Sequence, residues 1–346
     1  MKRFCLTYYL AAFLVLLLGV VVFSVGTGYY RFASGNAYTT LWKMISGDTT
    51  IAPGERYIAW DVRTARVIMG VLTGSMLAVS GTLLQGMFRN PLATGDLIGL
   101  NSGATLLASF AIVLGNLFSS FLPELVRQSL VSISAFAGAL FAMMLVYRIA
   151  TGNGKTNVVM MLLSGVAITS VGFAITGFLI YLAQDDQLRD LTFWNLGSLA
   201  GATWTKNIIL ATVLALSYVF LIGKGKTLNA MMLGEKDAQH LGIDVEEIKK
   251  KIVFFTALMI GSCVAFSGTI GFVGLIVPYI LRFLFKSDYQ YILPLSALSG
   301  GILLVLADTF CRTLLAPSEL PIGILTALMG GPVFIAILLK YKNTLR

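Results

Sequence analysis

The chain has 346 residues, of which 57% are hydrophobic and only 12% charged. Soluble domains carry about 25% charged residues, and a chain with half that share cannot build a water-compatible surface, so lipid must be the solvent for much of it. The net charge of +9 is spread through short gaps between apolar runs. That pattern excludes a clustered nucleic-acid face and fits positive charges that orient membrane spans.

At the N-terminus, Lys2 and Arg3 precede an apolar run that is too long for a secretory signal and has no small-x-small cleavage site. A retained first helix entering from the cytoplasm is expected. A spanning helix needs about 20 apolar residues. Charge-free runs of that kind occupy 4–30, 67–88, 97–123, 128–147, 156–184, 207–223, 252–281, 289–307 and 320–339, nine in all. Both ends are basic, with Lys2 and Arg3 at one and Lys340, Lys342 and Arg346 at the other. Positive-inside logic puts both in the cytoplasm and requires an even number of spans. The run 252–281 contains Ser267-Gly268-Thr269-Ile270-Gly271-Phe272-Val273-Gly274, whose three glycines favour a break between spans at about 252–268 and 272–287. The expected fold is an all-α integral membrane protein of about ten transmembrane helices in one domain over 1–346. It places sixteen of the 25 lysines and arginines inside and nine outside.

Gly74-Ser75-Met76-Leu77-Ala78-Val79-Ser80-Gly81-Thr82 recurs as Gly261-Ser262-Cys263-Val264-Ala265-Phe266-Ser267-Gly268-Thr269, with six of nine positions identical at a spacing of 187. Five spans separate the copies, so they run in opposite directions. This is the signature of an inverted internal repeat, with halves at about 61–205 and 250–340. Chance recurrence of small residues that let membrane helices pack closely is the competing reading.

Candidate functional residues follow in chain order. Arg63 and Arg66 share a helix face at the outer mouth of span two, and Arg312 follows Asp308 by one turn at the outer end of span nine. They either snorkel or pair with Asp61 and Asp308, or they form a basic dock for an external partner. Gly154-Lys155-Thr156 resembles the end of a phosphate loop, but position 149, where the leading glycine belongs, is Ile149, so no nucleotide site is present. Trp194 and Trp204 are either interfacial anchors or the edge of a substrate path. The inner gap 224–250 holds Leu233-Gly234-Glu235-Lys236-Asp237-Ala238-Gln239-His240-Leu241-Gly242, read as a short helix bounded by two glycines and suited to docking. Cys5, Cys263 and Cys311 follow no ligand spacing and His240 is the only histidine, so no protein-held metal or haem is expected. Asp96 and Asp308 lie at span edges, which counts against a gradient-driven secondary carrier. A membrane enzyme lacks any catalytic cluster.

Arg63-Thr64-Ala65-Arg66, Ser80-Gly81-Thr82-Leu83-Leu84-Gln85, Arg89-Asn90-Pro91-Leu92-Ala93, the two Leu-Gly pairs at 233–234 and 241–242, Ser267 to Pro278, Glu319-Leu320-Pro321-Ile322-Gly323 and Gly331-Pro332-Val333-Phe334 resemble the FecCD-type permeases of ATP-binding-cassette importers for iron-siderophores, haem and cobalamin. The resemblance covers nearly the whole chain. It implies a homodimeric pore in the bacterial cytoplasmic (inner) membrane, with two cytoplasmic ATPase subunits that bind ATP and receive the 234–242 helix. It further implies a periplasmic or lipoprotein substrate-binding protein whose acidic residues meet Arg63, Arg66 and Arg312, and a gate near Thr156 and Asn157. The stretch Phe193 to Trp204 departs from the cobalamin members and looks most like the haem permeases, with ferric siderophore and cobalamin as the alternatives.

Overall fold

The computed structural model describes residues 2–33, 35–48, 50–118, 123–221 and 223–344; the end of the third apolar run, residue 222 in the sixth and the terminal Arg346 lie outside the described residues. The helices are α1 (Lys2–Gly26), α2 (Ala37–Ile45), α3 (Pro53–Tyr57), α4 (Ala65–Met87), α5 (Leu100–Phe118), α6 (Glu124–Gln128), α7 (Leu130–Ala150) and α8 (Val158–Leu182). They continue as α9 (Asp185–Leu196), α10 (Trp204–Leu221), α11 (Gly225–Leu233), α12 (Glu235–His240), α13 (Val245–Ser267), α14 (Val273–Phe285), α15 (Tyr289–Leu314) and α16 (Ile322–Thr344). A π-helical run, Ile58–Thr64, leads into α4, and a hairpin of β1 (Thr151–Gly152) and β2 (Lys155–Thr156) joins α7 to α8.

Among the described residues, eight helices are long and apolar enough to cross a membrane, and the apolar cores of α5 and α14 are shorter, giving the expected ten. The longest apolar run does break at its glycines. α13 stops at Ser267, Gly268 and Phe272 both take positive φ, and α14 starts at Val273.

The two copies of the repeated motif lie on α4 and α13, the most buried of the long helices. Their packing is exchanged between halves: α4 packs against α14 and α15, whereas α13 packs against α5 and α7. Each half therefore encloses the second span of the other. Close approach explains the motif's small residues. A Cβ at Gly74 would stand 2.2 Å from the Gly300 carbonyl oxygen, and one at Gly81 would stand 2.0 Å from that of Gly274. Gly261, the counterpart of Gly74, faces Phe136 and Ala139 of α7. Lipid supplies no hydrophobic force between helices, so tight backbone packing and interhelical hydrogen bonds must hold them. Thr82 and Ser296 hydroxyls meet at 2.7 Å, and Ser75 Oγ donates to the Ala297 carbonyl at 2.6 Å. By contrast, α8 and α16 present bare apolar side chains such as Phe173, Phe178, Leu328 and Ile335.

Candidate functional site

Three regions gather the polar and irregular features. The first is the end of the bundle where the C-termini of α1 and α15 meet the N-terminus of α4. Arg63 is buried, and its guanidinium donates to the carbonyls of Val25 (3.3 Å), Gly26 (3.4 Å) and Tyr30 (2.9 Å), while lying 4.8 Å over the Phe32 ring. It thus caps the carbonyl end of α1, where unpaired C=O groups and the helix dipole favour a cation. Arg66 takes the other direction. Its Nε and Nη2 grip Asp308 at 2.9–3.1 Å, and its Nη1 lies 2.9 Å from both Glu319 oxygens. Arg312 donates to the Ser24 carbonyl and hydroxyl and lies 3.8 Å from Asp308.

These contacts match the pairing that the sequence reading set beside a basic dock, with Asp308 as the partner. All three arginines are buried, and Arg63 spends its donors on backbone carbonyls rather than on Asp61. A buried charge at a membrane edge must be paired, and pairing uses up the donors a partner would need. The pairing with Asp308 was legible; the second carboxylate, Glu319, was not singled out as a partner.

The second region is the opposite end of the bundle. α12 fills the interval expected from its bounding glycines: Gly234 has φ +150° and Gly242 φ +80°, conformations open to glycine alone at low cost. Leu233 is 72% exposed and Leu241 66% exposed, one at each end of α12. Lys236, Asp237, Gln239 and His240 are exposed between them, and Ala238 faces inward. Glu235 instead turns to Lys249 of α13, 2.7 Å away. Across a cavity of roughly 970 Å³ lies the start of α8. There Asn157 is the N-cap, its Oδ1 accepting from Val159 and Met160 amides at 2.9 and 3.1 Å. Thr156 is buried in β2. The Gly154-Lys155-Thr156 string belongs to a hairpin whose corner, Asn153 (φ +50°) and Gly154 (φ +75°), has the positive angles of a type I′ turn.

The third region is irregular backbone at membrane depth. Gly95 sits against Ile260 in the middle of α13, and Gly99 against Gly165 of α8. The 268–272 break meets the end of α9, where Thr269 Oγ1 donates to the Asn195 carbonyl at 2.5 Å. A cavity of about 500 Å³ opens there between Asn195, Thr269, Phe272, Gly323 and Ala327. Trp194 packs at this seam, its carbonyl against Gly268. Trp204 is separate: it stacks on Trp60 at 4.7 Å beside the outer end of α4, so the structure does not bring the two tryptophans together.

A bundle of ten apolar helices in exchanged halves, with irregular backbone at mid-depth and an exposed polar helix at one end, is the architecture of a multi-span membrane protein. The model of the FecCD transport family matches residues 9–340. The hemin transport system permease protein of Yersinia pestis is 37% identical over 307 residues, covering 89% of both chains. The cobalamin import system permease protein of Halobacterium salinarum is 39% identical over 281 residues, covering 81% of this chain and 73% of that one. A solved structure described as an inward-facing conformation of a metal-chelate type ABC transporter superposes with a TM-score of 0.81 at 29% identity, covering 96% and 99%. The chain belongs to the FecCD transport family and is the permease subunit of an ATP-binding-cassette importer.

Proposed function

We propose that two copies of this chain form the path of an importer for an iron chelate, haem first, in a bacterial cytoplasmic membrane with both termini inside. ATP is hydrolysed on two separate cytoplasmic ATPase subunits, and a substrate-binding protein delivers cargo to the outer face. The observation that carries this reading is α12: a polar helix flanked by two exposed leucines is a docking element that lacks its cover. Leu233, Gly234, Asp237, His240, Leu241 and Gly242 form or shape that contact, while Glu235 ties α12 to Lys249 of α13 on its other side. On the outside, Arg63, Arg66 and Arg312 fix the surface that the binding protein meets, and the exposed Arg31 and Arg56 supply free charge there. Thr156 and Asn157 set the start of α8 at the inner mouth, and Trp194 flanks the mid-depth seam.

Haem is placed first because the hemin relative matches over 89% of the chain and because aromatic faces suit a flat macrocycle. Cobalamin relatives of similar identity make cobalamin the second reading. Proteoliposomes holding this chain with its ATPase are the test. Haem uptake should require ATP and the binding protein; uptake that persists on an ion gradient without ATP, or preference for cobalamin, would overturn the driving force or the cargo respectively.

A further inference from the structure

Lys249 has no exposed surface, yet it lies at the watery inner end of α13. An ammonium group has three N–H donors. Here each has an acceptor, and each acceptor belongs to a different element. Nζ lies 2.7 Å from Glu235 Oε2 on α12, 3.1 Å from Glu246 Oε1 on α13 and 2.9 Å from the carbonyl of Thr156 in β2. Glu246 closes the ring, because its Oε2 accepts the Thr156 amide at 2.9 Å. The next residue, Asn157, caps α8. Between α12 and the start of α8 there is otherwise a cavity of roughly 970 Å³ rather than packed side chains.

From this geometry we infer that Lys249 is the positioning residue that links the docking helix α12 to the first turn of α8. The inference rests on the reading of α12 as the ATPase contact. Charge-assisted hydrogen bonds are the strong ones, and their strength falls steeply with distance and misalignment. A shift of α12 that carries Glu235 away from Lys249 frees one donor of a fully buried ammonium. Its remaining partners, Glu246 and the Thr156 peptide, are the groups that fix the hairpin before α8. Displacement at α12 is thereby felt at the start of α8 without direct packing between them.

Glu235→Ala tests the link. It removes the α12 acceptor and leaves Lys249 balanced by Glu246, so the fold keeps its compensation. Spin labels are placed singly at Val159→Cys on α8 and Lys236→Cys on α12, with the three native cysteines replaced. The complex with its ATPase is studied in proteoliposomes. In the parent chain, ATP should change label mobility at both sites. With Glu235→Ala, ATP hydrolysis and the response at 236 should persist, the response at 159 should vanish, and uptake should fall about tenfold. A retained response at 159 with parental uptake overturns the link. Loss of both responses overturns it too, assigning Glu235 to docking itself. If the parent complex shows no ATP-driven uptake, the importer reading fails first and the link falls with it.

Discussion

A guanidinium at the edge of a membrane must find acceptors, and the outer arginines find them in different ways. Arg63 uses carbonyls at the end of α1, whereas Arg66 and Arg312 share Asp308. Asp308 is thus the keystone of a buried cluster. Asp308→Asn should lower the stability of the solubilised chain by about 3 kcal/mol, because it removes the carboxylate that two buried guanidinium groups share. Glu319→Gln should cost less than Asp308→Asn, since the Glu319 side chain is 44% exposed and its pairing is screened by water. Thermal melts in detergent will rank the two variants; an equal loss would show that Asp308 has no special place. The sequence placed these charges at span edges and offered Asp308 as a partner. It could not separate dock from lattice, because Arg66 and Asp308 are 242 residues apart and meet only through the packing of α4 on α15.

At the scale of elements, glycine spacing was the most informative signal. It located the break at 268–272 and the bounds of α12, and it marked α4 as a close-packing helix whose partner, α15, only the structure gives. Each is a place where backbone geometry or close approach rejects a Cβ, so the residue type itself carries the structure. The β1–β2 hairpin escaped notice because its strands have two residues each, too short for any alternation to show. Gly74→Val should therefore block assembly of α4 on α15, since even its Cβ would overlap the Gly300 carbonyl; folded yield should collapse. Gly271→Ala, which meets nothing within 4 Å, should express normally. The exposed leucines make the opposite kind of prediction. Leu233→Ser and Leu241→Ser should leave the melt unchanged and weaken ATPase binding about tenfold each, as expected for an apolar side chain buried only in the complex. Binding to the immobilised permease measures this; unchanged affinity would remove α12 as the contact.

The whole molecule poses a problem that its inverted repeat helps to resolve. The 94–99 loop and the 268–272 break put irregular, non-α-helical backbone at membrane depth, level with Ile260 and beside Leu196 respectively. Such backbone is tolerated in a bilayer only where protein buries it or water bathes it. Both segments lie toward α8 and α16: Gly99 packs on Gly165, and a Cβ at Gly330 would meet the Phe272 ring. These two helices are the last spans of their halves, and both have bare outer faces. A second copy against that side would turn an untenable lipid boundary into a water-filled path between chains. Leu97 and Ala327, exposed there, should become reactive as cysteines toward a water-soluble thiosulfonate, and haem delivered by the binding protein should slow the reaction. Val15→Cys, on the apolar outer face of α1, should stay silent because thiolate forms poorly in hydrocarbon. Silence at 97 and 327 as well would mean that both face lipid, and the path would then have to run through the interior of a single chain.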